Sequence, residues 1–378
     1  MAGADDPGGV SVPSPGRISA APVRVLCVGY SVTEQIGYVE RAGDCASSDG
    51  ADLVFLKSGW GGHSVHAIAY MIDEILDTIP CDRVLLELFT GNVRYYDRRA
   101  LRFYLDQILA ATARRGRPVA FLNLYQNGVN YASETVAGLL DDYETSFGIP
   151  TLDLALPLAK SDPEERALWL KDGTHVTPAG ADLYGRQVFD FVRGRGFGDA
   201  YIRHYRTLPG LFVPLKLATT PDRSRPFALY RNGIPLRYVT IPEKTSLSID
   251  LGRTADVRAV MTTYGPLNGT LRFSSPSIER TRDVLLYDRF SYYARSIVMN
   301  VNLKGIRTLT CFQLDIVPDI ELAKGEKNTG PRMGYVSHVF LHRRLRLAEW
   351  LHHYGHGACW AAHRMRCALA RVGGRTGA

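Results

Sequence analysis

Asp172 and His175 stand three residues apart in Lys171-Asp172-Gly173-Thr174-His175-Val176-Thr177-Pro178. That spacing fits one short turn in which the carboxylate reaches the imidazole and orients it. A histidine held this way can serve as a general base. Thr177-Pro178 then reads as a helix start, a capping hydroxyl followed by Pro at the first helical position. Tyr184, Val188, Phe191 and Val192 follow at helical spacing, so this helix has a face to bury. Taken alone, Asp-x-x-His more often marks a satisfied structural pair than a catalytic one, and the elements upstream decide between the two.

Residues 23–29 form a short apolar run ending in Gly, the pattern of a buried parallel strand. Similar runs recur at Asp52–Lys57, Arg83–Phe89, Pro118–Leu124 and Pro150–Leu154. Helical patterns separate them, most clearly Val65, Ile68, Ala69, Ile72, Ile75, Leu76 and Ile79, with others over 98–114, 131–147 and 178–193. Alternating strands and helices imply a parallel sheet covered on both faces, with ligands bound at the carboxyl ends of its strands.

The unusual residues sit at those strand ends. The first strand leads into Gly29-Tyr30-Ser31-Val32-Thr33 and the second into Ser58-Gly59-Trp60-Gly61-Gly62-His63-Ser64. The third leads into Thr90-Gly91-Asn92-Val93, and the last block is Asp172-Gly173-Thr174-His175. Singly, Ser31 reads as a helix cap, the glycines as turn formers and Asn92 as a capping side chain. In this order, on these elements, the set resembles the SGNH (GDSL-like) hydrolases, named for a Ser, a Gly, an Asn and a His. The resemblance covers roughly 23–195. It departs from the family pattern where Tyr30 replaces the Asp of Gly-Asp-Ser, and where Gly91-Asn92 lacks the leading Gly and the final Asp of Gly-x-Asn-Asp.

The resemblance implies a flavodoxin-like three-layer α/β domain over 21–195 and a serine esterase. Ser31 would be the nucleophile, His175 the base and Asp172 the group that orients it. The backbone N–H groups of Ser31 and Gly62, with the Asn92 amide, would form the oxyanion hole. His63 and His66 are read as rim or structural residues. No metal and no cofactor is expected.

Composition supports a globular protein. The chain has 378 residues, 46% apolar and 22% charged, enough for two or three domains. Residues 1–20 are rich in Gly, Pro, Ser and Ala, which implies a disordered leader, and no uninterrupted apolar run is long enough to span a membrane. Six scattered cysteines lack metal-site spacing and suit reduced thiols in the cytoplasm. Of the net charge of +7, residues 343–378 carry +6, as seven Arg against one Glu. The rest is nearly neutral, which argues against a nucleic-acid partner.

Past Gly196 the pattern becomes β-rich, with hairpin signals at Asn232-Gly233 and Asn268-Gly269. Eight or so short strands suggest a second, all-β domain over 209–342, a jelly-roll-like sandwich. Tyr292, Tyr293 and Arg295 are its candidate substrate contacts, because aromatic faces beside Arg suit sugar rings and their acidic groups. The same residues also suit a purely structural or dimerising module. The tail, 343–378, reads as basic helices that either lie on an anionic membrane at its inner face or pack on the protein itself. The expectation is thus an esterase that removes an acyl group, acetyl first, from a saccharide or glycoconjugate. Left open are an O-acyltransferase with the same triad, a catalytically degenerate carbohydrate-binding protein, and assembly into a homo-oligomer.

Overall fold

The computed structural model describes residues 21–345 except 92–95, 195, 218–226, 232, 315, 317–318, 326–329 and 344. The leader and nearly all of the basic tail therefore lie outside the described residues, as does Asn92.

The first half is built on five parallel strands, β1 (Val23–Gly29), β2 (Leu53–Gly59), β3 (Arg83–Glu87), β4 (Val119–Asn123) and β5 (Thr151–Asp153), in the order β2-β1-β3-β4-β5. The connecting helices are α1 (Ser31–Glu34), α2 (Tyr38–Ser48), α3 (Val65–Thr78), α4 (Arg98–Arg114) and α5 (Ala137–Phe147). After β5 come α6 (Ala155–Lys160), α7 (Pro163–Trp169), α8 (Pro178–Gly194) and α9 (Ile202–Tyr205). Right-handed crossovers send the chain one way from β1 to β2 and the other way from β2 to β3, so helices cover both faces. In agreement, α2 packs on α8 and α3 on α4. Val25, Leu26, Cys27 and Val28 of β1 are fully buried, each large apolar side chain contributing about 1.5–3 kcal/mol of transfer free energy.

Strand order and register place the chemistry. The order reverses at β1, which has β2 on one side and β3 on the other, and such a switch point opens a crevice at the carboxyl ends. Gly29 pairs with Gly59, and Val28 with Leu86. The loops after β1, β2 and β3 consequently leave the sheet side by side. The helix expected over 131–147 starts only at Ala137, because Ser133 closes turns with Val136 and Ala137.

The second half is an antiparallel β domain. Its strands are β6 (Phe212–Lys216), β7 (Phe227–Arg231), β8 (Ile234–Pro242), β9 (Ser246–Tyr264), β10 (Thr270–Ser275), β11 (Ile278–Leu285), β12 (Arg295–Leu314) and β13 (Met333–His342). They pair in the order β11-β10-β12-β9-β13-β8-β7, with β6 on β13. Val257, Leu271, Phe273, Leu303, Ile306, Leu309 and Val339 fill a core of their own. The domain leans on α3, where Glu74 receives Lys216 Nζ at 2.6 Å and His338 Nε2 at 3.1 Å. Tyr70 of α3 stacks on Phe340 with ring centres 5.0 Å apart. Among the described residues no helix is long and apolar enough to cross a membrane.

Candidate active site

Ser31 opens α1 two residues past β1, and His175 lies in the turn before α8. Their side chains meet: Ser31 Oγ is 2.9 Å from His175 Nε2. On the other side of the ring, His175 Nδ1 is 2.8 Å from Asp172 Oδ2 and 3.0 Å from Oδ1. A carboxylate only accepts, so Nδ1 carries the hydrogen and Nε2 accepts from the serine hydroxyl. Asp172 also accepts the backbone N–H of His175 at 2.8 Å and of Thr174 at 3.3 Å, which fixes the turn. Partial burial pushes the Asp172 carboxyl up, but the His175 N–H, its imidazole and the Thr174 N–H outweigh it and hold the group below its ordinary range. Asp172 therefore stays ionised at neutral pH. Both groups remain open to water, with side-chain exposures of 24% for His175 and 51% for Asp172.

Beside Ser31 lies the loop after β2. Trp60 N–H donates to Gly29 O at 2.8 Å, and Gly61 N–H to Glu34 Oε2 at 2.9 Å. A β-carbon on Gly61 would sit 3.3 Å from the Ser31 Cα, so the loop runs directly past Ser31. Gly62 follows with φ +75°, a conformation that favours glycine. Among the described residues, neither the Gly62 N–H nor the Ser31 N–H is engaged in a hydrogen bond.

The chain matches no protein-family model, and no curated protein matches it in sequence. Solved structures do match. A two-domain esterase (CEX) active on acetylated mannans aligns with TM-score 0.58 at 11% identity, over 86% of this chain and 92% of that one. The same esterase co-crystallised with mannopentaose aligns with TM-score 0.59 at 10% identity, over the same shares of the two chains. An acetyl xylan esterase, AlAXEase, aligns over 45% of this chain and 100% of its own, with TM-score 0.39 and 13% identity, too loosely to weigh. The fold is that of the SGNH hydrolases, with an antiparallel β domain added.

Within the SGNH fold, the departure at Tyr30 has a packing reason. Tyr30 is 1% exposed, and its ring occupies the space that a β-carbon on Gly91 would need. Behind the Ser31 turn lies Glu87, fully buried at the end of β3. It accepts the Tyr30 N–H at 3.2 Å and the hydroxyls of Thr33 and Thr90, tying α1 to the loop after β3. Sequence reading missed Glu34 and Glu87. Their one signal was an acid at a strand end or first helical turn, which the chain repeats elsewhere.

Burial pushes the Glu87 carboxyl up, although the hydrogen bonds from Thr33, Thr90 and Tyr30 pull the other way. The folded carboxyl then holds its proton more tightly than the unfolded one. Stability is fully present below the ordinary carboxylate pKa of about 4.3 and is lost as pH rises through the higher folded value. Glu87→Gln mimics the protonated form, so its melting temperature should gain on the wild type as pH rises from about 4 to 8. A difference that stays constant with pH would contradict this.

Of the candidate substrate contacts, Arg295 comes nearest the site. A β-carbon on Gly62 would lie 3.9 Å from Arg295 Nε. The guanidinium pairs with Asp288 and sits 4.8 Å from the ring centre of Tyr264, 5.5 Å from Tyr293 and 5.8 Å from Phe290. Tyr292 lies behind, its ring 5.1 Å from Tyr293. Phe290 and Tyr293 are exposed. Asn92 and the basic tail fall outside the described residues.

Proposed function

We propose that this chain is a serine esterase that removes an O-acyl group, acetyl first, from a saccharide through an acyl-Ser31 intermediate. The observation that carries the reading is the chain of contacts Ser31 Oγ, His175 Nε2, His175 Nδ1, Asp172. Ser31 Oγ attacks the ester carbonyl while His175 Nε2 takes its proton, and Asp172 steadies the imidazolium. The carbonyl oxygen becomes an oxyanion facing the Ser31 and Gly62 N–H groups. The sequence resemblance adds the Asn92 amide as a third donor. On collapse the alkoxide leaves with the proton from His175. Water then gives a proton back to His175, attacks the acyl carbon and releases the acid, restoring the Ser31 hydroxyl.

The saccharide part of the reading draws support from the second domain. An exposed aromatic pair, Phe290 and Tyr293, lies beside Arg295 at the Gly62 loop, and the two-domain neighbour acts on acetylated mannans. Tyr292, Tyr293 and Arg295 are proposed as sugar contacts, now with Phe290. Because Arg295 also lies beside Gly62, the variant that isolates sugar reading is Phe290→Ala with Tyr293→Ala. It should lower kcat/KM for an acetylated oligosaccharide by about 10-fold or more and leave an aryl acetate almost unchanged, since remote binding energy aids only the larger substrate. Equal loss on both substrates, or on neither, would remove these residues as sugar contacts.

Hydrolysis is favoured over O-acyl transfer to a sugar by the water access at His175 and Asp172. Acetate release from an acetylated oligosaccharide, measured with and without excess unacylated sugar, tests both readings. Free acetate in proportion to enzyme supports the esterase. Acetyl recovered on the added sugar would make it a transferase, and no turnover of any ester would leave a degenerate binding protein. The free thiols of Cys27, Cys45, Cys81 and Cys311 suit the cytoplasm.

A further inference from the structure

His66, read from sequence as a rim or structural residue, joins three elements. Its Nε2 is 3.1 Å from the carbonyl oxygen of Val298 on β12. Its Nδ1 is 2.7 Å from Ser64 Oγ and also bonds Tyr96 OH, and these two hydroxyls are 3.0 Å apart. Burial disfavours the imidazolium form of His66 despite the Val298 carbonyl, so the ring is neutral. A carbonyl only accepts, hence Nε2 carries the hydrogen and Nδ1 accepts from hydroxyls.

The three partners are not arbitrary. Ser64 lies two residues past Gly62, Tyr96 stands just before α4 in the connection from β3, and Val298 belongs to the added domain. The contact continues as a ladder between β12 and the start of α3. Arg295 lies at Gly62, Val298 at His66, and Asn300 Oδ1 accepts from Tyr70 OH at 3.2 Å. On its other side the Gly62 loop is held by Glu34, through Gly61, and by Trp60 O, which accepts the His63 N–H at 3.1 Å. The N–H of Gly62 is thus aimed by anchors on both sides, one of them reaching into the β domain.

We infer that His66 is a positioning residue: through it the β domain holds the Gly62 loop in the orientation that oxyanion stabilisation needs. The inference rests on the esterase reading above. It makes the added domain part of the catalytic apparatus for every ester, including esters with no sugar to bind. A displacement of about 1 Å in such a group can lower the rate about 100-fold.

The test uses the full chain and an aryl acetate, well below each variant's melting temperature. His66→Phe keeps an aromatic ring and removes both hydrogen bonds, so kcat should fall about 10- to 100-fold with KM nearly unchanged. Inactivation by an aryl phosphonate, whose phosphoryl oxygen uses the same donors, should slow in parallel. His66→Asn, which can still accept from Ser64, should recover part of the loss. Tyr70→Phe removes the next interdomain bond without touching the loop and should lower only the melting temperature. Wild-type kcat in folded His66→Phe, or an equal kcat loss in Tyr70→Phe, would overturn the inference. Should His66→Phe fail to fold, Ser64→Ala, which removes the hydroxyl that links His66 to the loop, decides: a fall in kcat upholds the role and wild-type kcat ends it. Ser31→Ala, measured alongside, separates the two levels. If Ser31→Ala is active, the esterase reading itself fails; if it is inactive while the His66 variants are not, only the positioning role fails.

Discussion

Ser31→Ala should abolish hydrolysis of a short-chain aryl acetate, lowering kcat by roughly a million-fold while the fold persists. The side chain is a small, partly buried hydroxyl bonded to His175, so the substitution removes one oxygen and little else. His175→Ala should be nearly as severe, because Nε2 is the acceptor that the Ser31 hydroxyl meets, at 2.9 Å. The double variant should be little worse than either single one, since the two residues act as a unit. Losses that multiply would mean that the two groups serve different steps. Steady-state rates, with circular dichroism to confirm folding, decide the matter.

Asp172→Asn should lower kcat by about 10,000-fold without unfolding the turn. The asparagine Oδ1 can still accept the backbone N–H groups of His175 and Thr174, which Asp172 holds at 2.8 and 3.3 Å. Its NH₂ group, however, would face His175 Nδ1 as a donor. The imidazole would then move its hydrogen to Nε2, and a donor would point at Ser31 Oγ where an acceptor is required. The variant should accordingly keep its melting temperature and lose its rate. A rate within about tenfold of the wild type would show that the half-exposed carboxylate matters little to the tautomer.

How far the sequence could be read depended on the kind of element. The parallel strands are short apolar runs bounded by Gly or polar turns, and Ser31, Asp172 and His175, which the structure brings together, stand in short polar motifs, so these parts were legible. The patterns over 98–114 and 178–193 correspond closely to α4 and α8. In the β domain the breaks misled. Gly252 and Gly305, with φ of +70° and +67°, suggest turns between short strands, yet they lie within β9 and β12. The register between these strands shifts repeatedly from Asn300 to Thr308, so the glycines serve bulges that bend two long strands. β13 is hard to read from sequence because both of its faces are buried, so its residues do not alternate between apolar and polar. The supports of the site were the hardest to see. Glu34, Glu87 and His66 act through partners up to 232 residues away, and no local pattern encodes such a contact.

The central claim is that an acyl group passes through Ser31. The most direct measurement is the intact mass of the enzyme, acid-quenched within milliseconds of mixing with an aryl acetate, followed by peptide mapping. One acetyl group on the peptide that contains Ser31, present in the wild type and missing in Ser31→Ala, is the expected result. Turnover without that adduct, or the same adduct on another residue with Ser31→Ala still active, would contradict it.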